Sequence, residues 1–508
     1  MRPFRLLSLV CLASSCAVAA PADAPARRLP RSTPEAEGIS SKAILEYVNA
    51  ADATVQSMNS FMLLRHGKVV AEGWWTPYAA EEPHSLFSLS KSFTSTAVGL
   101  AVAEGRMSVN DPVLGFFPGE GPKDPSPNQQ AMRIRDLLRM SSGQHGEDVD
   151  PFPFNSPGDL VRLFLNKPVA HKPGTHFFYN TAGTYVVAAA VQKATGQTVR
   201  DYLEPRLFEP LGMGQPKWET SEQGIPLGGF GLNLRTEDIA SFGQLLLQRG
   251  QWNGRQLVPA AWIDEATSLQ TSNGSNPASD WEQGYGYQFW RCTHGAYRGD
   301  GAFGQLCVVI PGSDVVVAAT AATGDIANEL GLVWKYLLPA FKEGPLPADP
   351  AGDAALSARL AGLSLPTQKG DAGSPTAASV AGRRYAFEKN PLLLESVTLE
   401  PGAGSTALVL RINGADTRVA SGFGAWNKGS MPTYATSLGF GDYTPVAVSG
   451  AWTAPDTYTA QVVHYRTPFV NTFRFTFSGD RVTVEDTTNL GLWGSDSSVH
   501  LVGTAPGR

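Results

Sequence analysis

The sequence predicts an α/β (α+β) sandwich, one antiparallel sheet flanked by helices, followed by a smaller all-β barrel or sandwich. Three observations carry this expectation. Helical segments cluster in mid-chain with strand segments on both sides, which is the order expected when one sheet carries helices on its faces. A stretch rich in Pro, Ala, Gly and Asp then interrupts the pattern near residue 345. Beyond it the hydrophobic period drops to two, in short segments separated by turn residues. A chain of 508 residues with 42% hydrophobic content exceeds one ordinary core, so two domains are expected.

Taken in order, Arg2 and Arg5 precede an apolar run from Leu6 to Leu12, and small residues continue through Ala20. This reads as a signal peptide over residues 1–19, with cleavage after Ala19 because Pro21 would obstruct a cut after Ala20. Cys16 would suit a lipoprotein signal, but Ala13 stands where such signals carry a larger aliphatic residue. A periplasmic or secreted bacterial protein follows. No other run reaches the ~20 apolar residues of a transmembrane segment. After cleavage only Cys292 and Cys307 remain, which excludes cysteine metal clusters and leaves one disulfide possible.

Residues 35–344 form the expected first domain. Phe61–Arg65 and Val69–Trp74 read as a hairpin turning at His66 and Gly67. Ser88–Glu104 reads as a helix with so little polar surface that it belongs in the domain centre, closed by Gly105. Further helices are expected at Ile134–Met140, Thr184–Thr195 and Thr236–Gln248, each followed by a glycine. Tyr287–Cys292, Gln305–Ile310 and Asp314–Ala319 read as strands. Residues 345–379 read as a linker with one short helical candidate around Ala354–Leu363. The all-β domain spans 380–508, with strands including Leu408–Ile412, Tyr458–His464, Thr472–Phe477 and Arg481–Glu485.

The formal net charge of −6 and a pI near 5.8, with no Lys/Arg-rich run, give no field for wrapping phosphates, so nucleic acid is excluded as a partner. The chemistry concentrates at Ser88-Leu89-Ser90-Lys91. Residues three apart share a helix face, so the Lys91 ammonium reaches the Ser88 hydroxyl. Burial lowers a lysine pKa and makes it a proton acceptor for a nucleophilic serine. A helix N-terminus also favours the negative charge that develops on acylation. Serine and lysine at this spacing recur by chance, as a cap and a solvated lysine. Here an apolar helix gives the lysine little reason to be present unless it is used.

The run Phe87-Ser88-Leu89-Ser90-Lys91-Ser92-Phe93-Thr94 is followed by Gly105, by Asp111-Pro112-Val113, and by Ile134-Arg135-Asp136-Leu137-Leu138 through Met140-Ser141-Ser142-Gly143. Then come Pro173-Gly174-Thr175, Phe178-Tyr179-Asn180, Gly284-Tyr285-Gly286-Tyr287-Gln288-Phe289-Trp290, Gly304-Gln305 and a strand ending at Pro311. This order resembles the class C β-lactamase and penicillin-binding-protein-like serine hydrolase family over about residues 35 to 340. The resemblance implies the serine β-lactamase fold, no cofactor and no metal, and an ester or amide substrate, small molecule or peptide. It places the family's Y-x-N at Tyr179-Asn180-Thr181 and makes Ser88, Lys91 and Tyr179 catalytic, with Tyr179 the general base. A free phenol titrates near ~10, so Tyr179 would need the Lys91 cation to populate its phenolate.

Thr181 stands where the family carries asparagine, and Asn180 is expected to supply the amide contact to substrate from the neighbouring position. The third family motif, Lys or His, any residue, then Gly, falls on Gly299-Asp300-Gly301, a substrate-binding stretch without its cation. Members that bind the carboxylate of β-lactams use that cation. Its loss brings the pattern closer to the esterase and 6-aminohexanoate-dimer hydrolase branch. By resemblance, the backbone N–H groups of Ser88 and Ala302 form the oxyanion hole.

Tyr285, Tyr287, Phe289 and Trp290 could wall a substrate or simply fill the core. His145 has no second histidine or carboxylate at metal-ligand spacing in the sequence, so no metal site is expected around it. The Trp452-Thr453-Ala454-Pro455-Asp456 and Thr467-Pro468-Phe469 stretches resemble accessory β domains appended to related serine hydrolases. Two rivals stand beside the ester or amide hydrolase: a D-alanyl peptidase or β-lactamase on the same site, and a silent binding module, which would require a disabled triad.

Overall fold

The computed structural model describes residues 29–146, 158–432, 443–491 and 498–506. The stretch read as a signal peptide, residues 1–19, lies outside the described residues. Among the described residues no helix is long and apolar enough to cross a membrane.

The N-terminal part of the chain is built on a six-stranded antiparallel sheet. Its strands are β1 (Met58–Arg65), β2 (Lys68–Trp74), β3 (Trp290–Arg291), β4 (Tyr297–Gly301), β5 (Gln305–Ile310) and β6 (Val315–Ala321), in the order β2-β1-β6-β5-β4-β3. β1, β5 and β6 are buried along their whole length because both faces of the sheet are covered. Met62, Leu64, Cys307, Val309, Val316 and Ala318 enter one core, and Phe61, Leu63, Leu306, Val308, Val315 and Val317 enter the other. The alternation is the period-two geometry of a pleated strand.

The first core is filled by three helices, α2 (Ser90–Ala103), α3 (Thr181–Thr195) and α4 (Thr236–Leu247). Phe93 of α2 stacks on Phe242 of α4, ring centroids 4.0 Å apart, which fixes the central helix over the sheet. The second core is covered by α1 (Ser41–Thr54) and the helical segments from Ile326 to Leu337. The helix expected around Ala354–Leu363 runs over Pro350–Ala361, because Asp349 accepts from the Gly352 N–H and Pro350 occupies the first turn. Its Leu356 is buried in the second core. Residues 345–379 are therefore tied to the sheet domain, and Asp371 also pairs with Trp452 of the C-terminal domain.

The strand expected over Tyr287–Cys292 is reduced to Trp290–Arg291. Gln288 breaks it: its backbone sits at φ 67, and its buried amide donates to the carbonyls of Leu137 and Leu138 and accepts from Thr184. No disulfide joins Cys292 and Cys307, which are both free and buried. Cys307 belongs to the first core and Cys292 to the second, so the sheet separates them.

The C-terminal domain is a closed barrel. Its strands are β7 (Arg384–Phe387), β8 (Leu394–Gly402), β9 (Ser405–Ile412), β10 (Ala415–Gly422), β11 (Asn427–Pro432), β12 (Tyr443–Ala454), β13 (Thr457–Val463), β14 (Val470–Ser478), β15 (Arg481–Thr488) and β16 (Ser498–Thr504). Nine of them close through a parallel contact between β10 and β12 at Gly422 and Ser449, with β11 paired to β12 at the margin. Every second residue, as in Phe473, Phe475 and Phe477, points into the barrel.

Candidate active site

One 3-10 turn, Phe87–Leu89, leads into α2 and sets Ser88 at the helix mouth. Leu86 and Leu89 on either side are fully buried, so the turn is anchored while Ser88 stays half-buried. One turn further, Lys91 is only 1% exposed. Its Nζ donates to Ser88 Oγ at 2.9 Å, to Thr181 Oγ1 at 3.2 Å and to the Gly229 carbonyl at 2.8 Å. Burial pushes the Lys91 pKa down to about 7, against an opposing pull from Asp300. Near neutral pH the amine is thus divided between its charged and neutral forms, aimed at the serine hydroxyl.

Tyr179 enters from the segment before α3. Its ring stacks on Trp290 at 5.5 Å and 17°, meets Tyr285 edge-on, and lies 4.9 Å from Lys91 Nζ. Its phenol hydrogen-bonds with Ser88. Burial, with Asp300 adding to it, raises the phenol well above its ordinary value, while the Ser88 bond and Arg298 oppose the rise. The shift runs against a phenolate populated by Lys91. Burial penalises the charged form of either group, so it holds the acid protonated and frees the lysine of its proton.

Asn180 is 4% exposed, and its side chain is engaged inside the protein. Its Oδ1 accepts from the Gly183 N–H as the cap of α3, and its Nδ2 donates to Gln144 Oε1. Thr181, the first residue of α3, is the one that reaches Lys91. The substrate-contacting amide expected at Asn180 is therefore not presented to the cleft.

β4 forms the opposite wall. A Cβ on Gly299 would lie 2.4 Å from Leu89 Cδ1 and 2.6 Å from Ser92 Oγ, so a side chain at this position is sterically excluded by α2. Arg298 and Asp300 both point to the other face of the strand. Arg298 is fully buried, and its Nε donates to Asp300 Oδ2 at 2.8 Å. The same guanidinium donates to the Asp280 carbonyl and to Cys292 Sγ, and lies 4.2 Å from the Trp281 ring. Asp300 hydrogen-bonds with Trp290 and acts electrostatically on both Lys91 and Tyr179. Burial pushes its carboxyl up while Arg298 and Lys91 pull it down. The third wall thus carries an acid neutralised from behind by a buried arginine, a pairing that sequence reasoning missed. The visible signal was two opposite charges at i and i+2 of a strand flanked by apolar neighbours.

After Gly301 the chain turns through Ala302, which is exposed, and Phe303 at φ 69. Gln305 Nε2 holds this turn by donating to the carbonyls of Ala302 and Ala321. Of the four aromatics considered for a substrate wall, Tyr285, Tyr287 and Phe289 are buried, and Trp290 is half-buried against Tyr179.

The barrel also reaches this region. The loop between β13 and β14 docks through Arg466 O accepting from the Ser85 N–H, Thr467 O accepting from Tyr78 Oη, and an Arg466–Glu82 ion pair. Phe469 then meets Phe87 and Phe303 edge-on at 6.2 Å and 5.7 Å, and those two rings meet at 5.3 Å. One aromatic cluster therefore joins the residue before Ser88, the residue after Ala302 and the C-terminal domain.

The sequence profile of the beta-lactamase family matches residues 51–332, more than half of this chain. The chain belongs to the beta-lactamase family. It is 26% identical over 294 residues to the 6-aminohexanoate-dimer hydrolase of Paenarthrobacter ureafaciens, covering 53% of this chain and 73% of that enzyme. It is 26% identical over 195 residues to the lovastatin esterase of Penicillium rubens, covering 34% of this chain and 47% of that enzyme. Among solved structures, the octameric penicillin-binding protein homologue from Pyrococcus abyssi aligns over 91% of this chain and 99% of its own, with 15% identity and a TM-score of 0.46. Membership of the beta-lactamase family, together with these hydrolase relatives, makes the chain a serine hydrolase of the β-lactamase and penicillin-binding-protein fold.

Proposed function

We propose that this beta-lactamase-family chain is an exported hydrolase that cleaves an ester or amide through an acyl-enzyme on Ser88. The observation that carries the reading is Lys91: a lysine 1% exposed, with its pKa lowered to about 7 and its Nζ 2.9 Å from Ser88 Oγ. Such an amine accepts the Ser88 proton as Oγ bonds to the substrate carbonyl carbon. The oxyanion that forms is received by the backbone N–H groups of Ser88 and Ala302. When the tetrahedral carbon collapses, the bond to the leaving alcohol or amine breaks. Tyr179, a protonated phenol in contact with Ser88, relays the proton from Lys91 to that leaving group. Water then enters, gives a proton back through the same pair and releases the acid from Ser88.

The aromatic cluster of Phe87, Phe303 and Phe469 beside Ser88 and Ala302 favours an apolar acyl chain. A wall with Gly299 where related enzymes carry a cation offers no partner to a carboxylate beside the scissile bond, which disfavours such substrates and with them efficient turnover of β-lactams. The test is hydrolysis of a short-chain p-nitrophenyl ester and a chromogenic cephalosporin by the full-length protein and by Ser88→Ala. Ester turnover lost in Ser88→Ala, with the cephalosporin left intact, supports the reading. Comparable cephalosporin turnover would assign a β-lactamase instead.

A further inference from the structure

Folding brings His145 beside two histidines from a later segment. His145 follows the turn after the helical segment Ile134–Leu138, while His171 and His176 flank Pro173-Gly174-Thr175. One ring nitrogen from each lies within 4.8 Å of those of the other two. His171 and His176 stack at 4.3 Å, and His145 stands 5.6 Å and 6.0 Å from them. Along the chain His145 has no companion at metal-ligand spacing; in space it has two.

The backbones carrying these rings are already fixed. His171 N–H donates to Gly143 O at 2.9 Å, Gly174 N–H to Ser141 O at 2.8 Å, and Phe178 N–H to Met140 O at 2.8 Å. Gly143, at φ 86, has no room for a side chain: a Cβ there would lie 2.2 Å from the His171 carbonyl. Ligand atoms on a tetrahedral Zn²⁺ sit about 3.3 Å apart for Zn–N bonds of about 2.0–2.1 Å.

We infer that His145, His171 and His176 form a binding site for one transition-metal dication of zinc type. Three imidazole nitrogens suit zinc among the common divalent ions, and a fourth position stays open because His145 is exposed. The ion would clamp the 143–146 turn to the 171–178 segment, which leads directly into Tyr179. The site stands independently of the hydrolase reading.

The test is calorimetric titration of Zn²⁺ into the full-length, chelator-treated protein, beside His145→Ala and the His171→Ala/His176→Ala double variant. The wild type is expected to bind one equivalent, and the double variant to lose affinity about a hundredfold or more, while its Tm in chelator stays that of the wild type. Because the His145 side chain is exposed, His145→Ala keeps the test valid even if the double variant unfolds. Co²⁺ should give the visible bands of a tetrahedral nitrogen site in the wild type only. Absence of binding, or equal binding by the wild type and the variants through the five other histidines of the chain, overturns the inference.

Discussion

Replacing Asp300 by Asn removes one charge from a pair closed inside the protein. Arg298 is 0% exposed and Asp300 7% exposed, with Nε and Oδ2 2.8 Å apart. The guanidinium left behind keeps a carbonyl, a thiol and two indole faces, none of them charged. Breaking a buried ion pair by removing one partner costs about 3–5 kcal/mol, because the remaining charge is uncompensated. At about 2–4 °C per kcal/mol for a domain of this size, Tm should fall by about 10 °C. A second readout comes from the active site: Asp300 raises the Lys91 pKa, so its loss should move the acid limb of kcat/KM to lower pH. Circular dichroism melting and an ester pH–rate profile measure the two effects. A variant within about 1 kcal/mol of wild type, with an unmoved limb, would mean that Asp300 is already neutral, and would refute the charged wall described above.

For the wild type, kcat/KM should rise with pH through about 7 and fall about tenfold per unit below it, because protonated Lys91 cannot accept the Ser88 proton. The sign for stability is the same: Lys91 binds its proton less tightly folded than unfolded, so its contribution grows as pH rises above about 7, which Lys91→Met should abolish in a Tm–pH series. Thr181→Val should cost about 1 kcal/mol of transition-state stabilisation, read as a several-fold lower kcat, by removing one of three partners of Lys91 Nζ. Phe469→Ala removes two edge-on ring contacts, worth about 1–3 kcal/mol together, and should raise KM for esters with long apolar acyl chains more than for acetate. Equal effects on both esters would limit Phe469 to holding the domains together.

The sheet domain was legible because its elements announce themselves locally. Gln305–Ile310 was read with its observed limits, and Ser88 to Lys91 fixed the helix mouth by spacing alone. The failures share one physical cause, long-range contact that overrides local pattern. Tyr287–Cys292 alternates like a strand, yet Gln288 is recruited by the carbonyls of Leu137 and Leu138 and breaks it. Asn180 looked like a ligand for substrate until Gln144 and the Gly183 N–H took its side chain. The sign of the Tyr179 shift depended on burial, which a motif does not report. The contact of Phe469 with Phe87 and Phe303 crosses two domains, and the His145, His171 and His176 cluster joins two loops. Neither leaves any periodic trace in the chain.

The measurement that bears most directly on the central claim is mass spectrometry of the protein quenched during turnover of a p-nitrophenyl ester. The account expects the mass of one acyl group on the peptide carrying Ser88, with accumulation greatest where deacylation is slowed and none in Ser88→Ala. An acyl group on another residue, or steady turnover in Ser88→Ala, would contradict it.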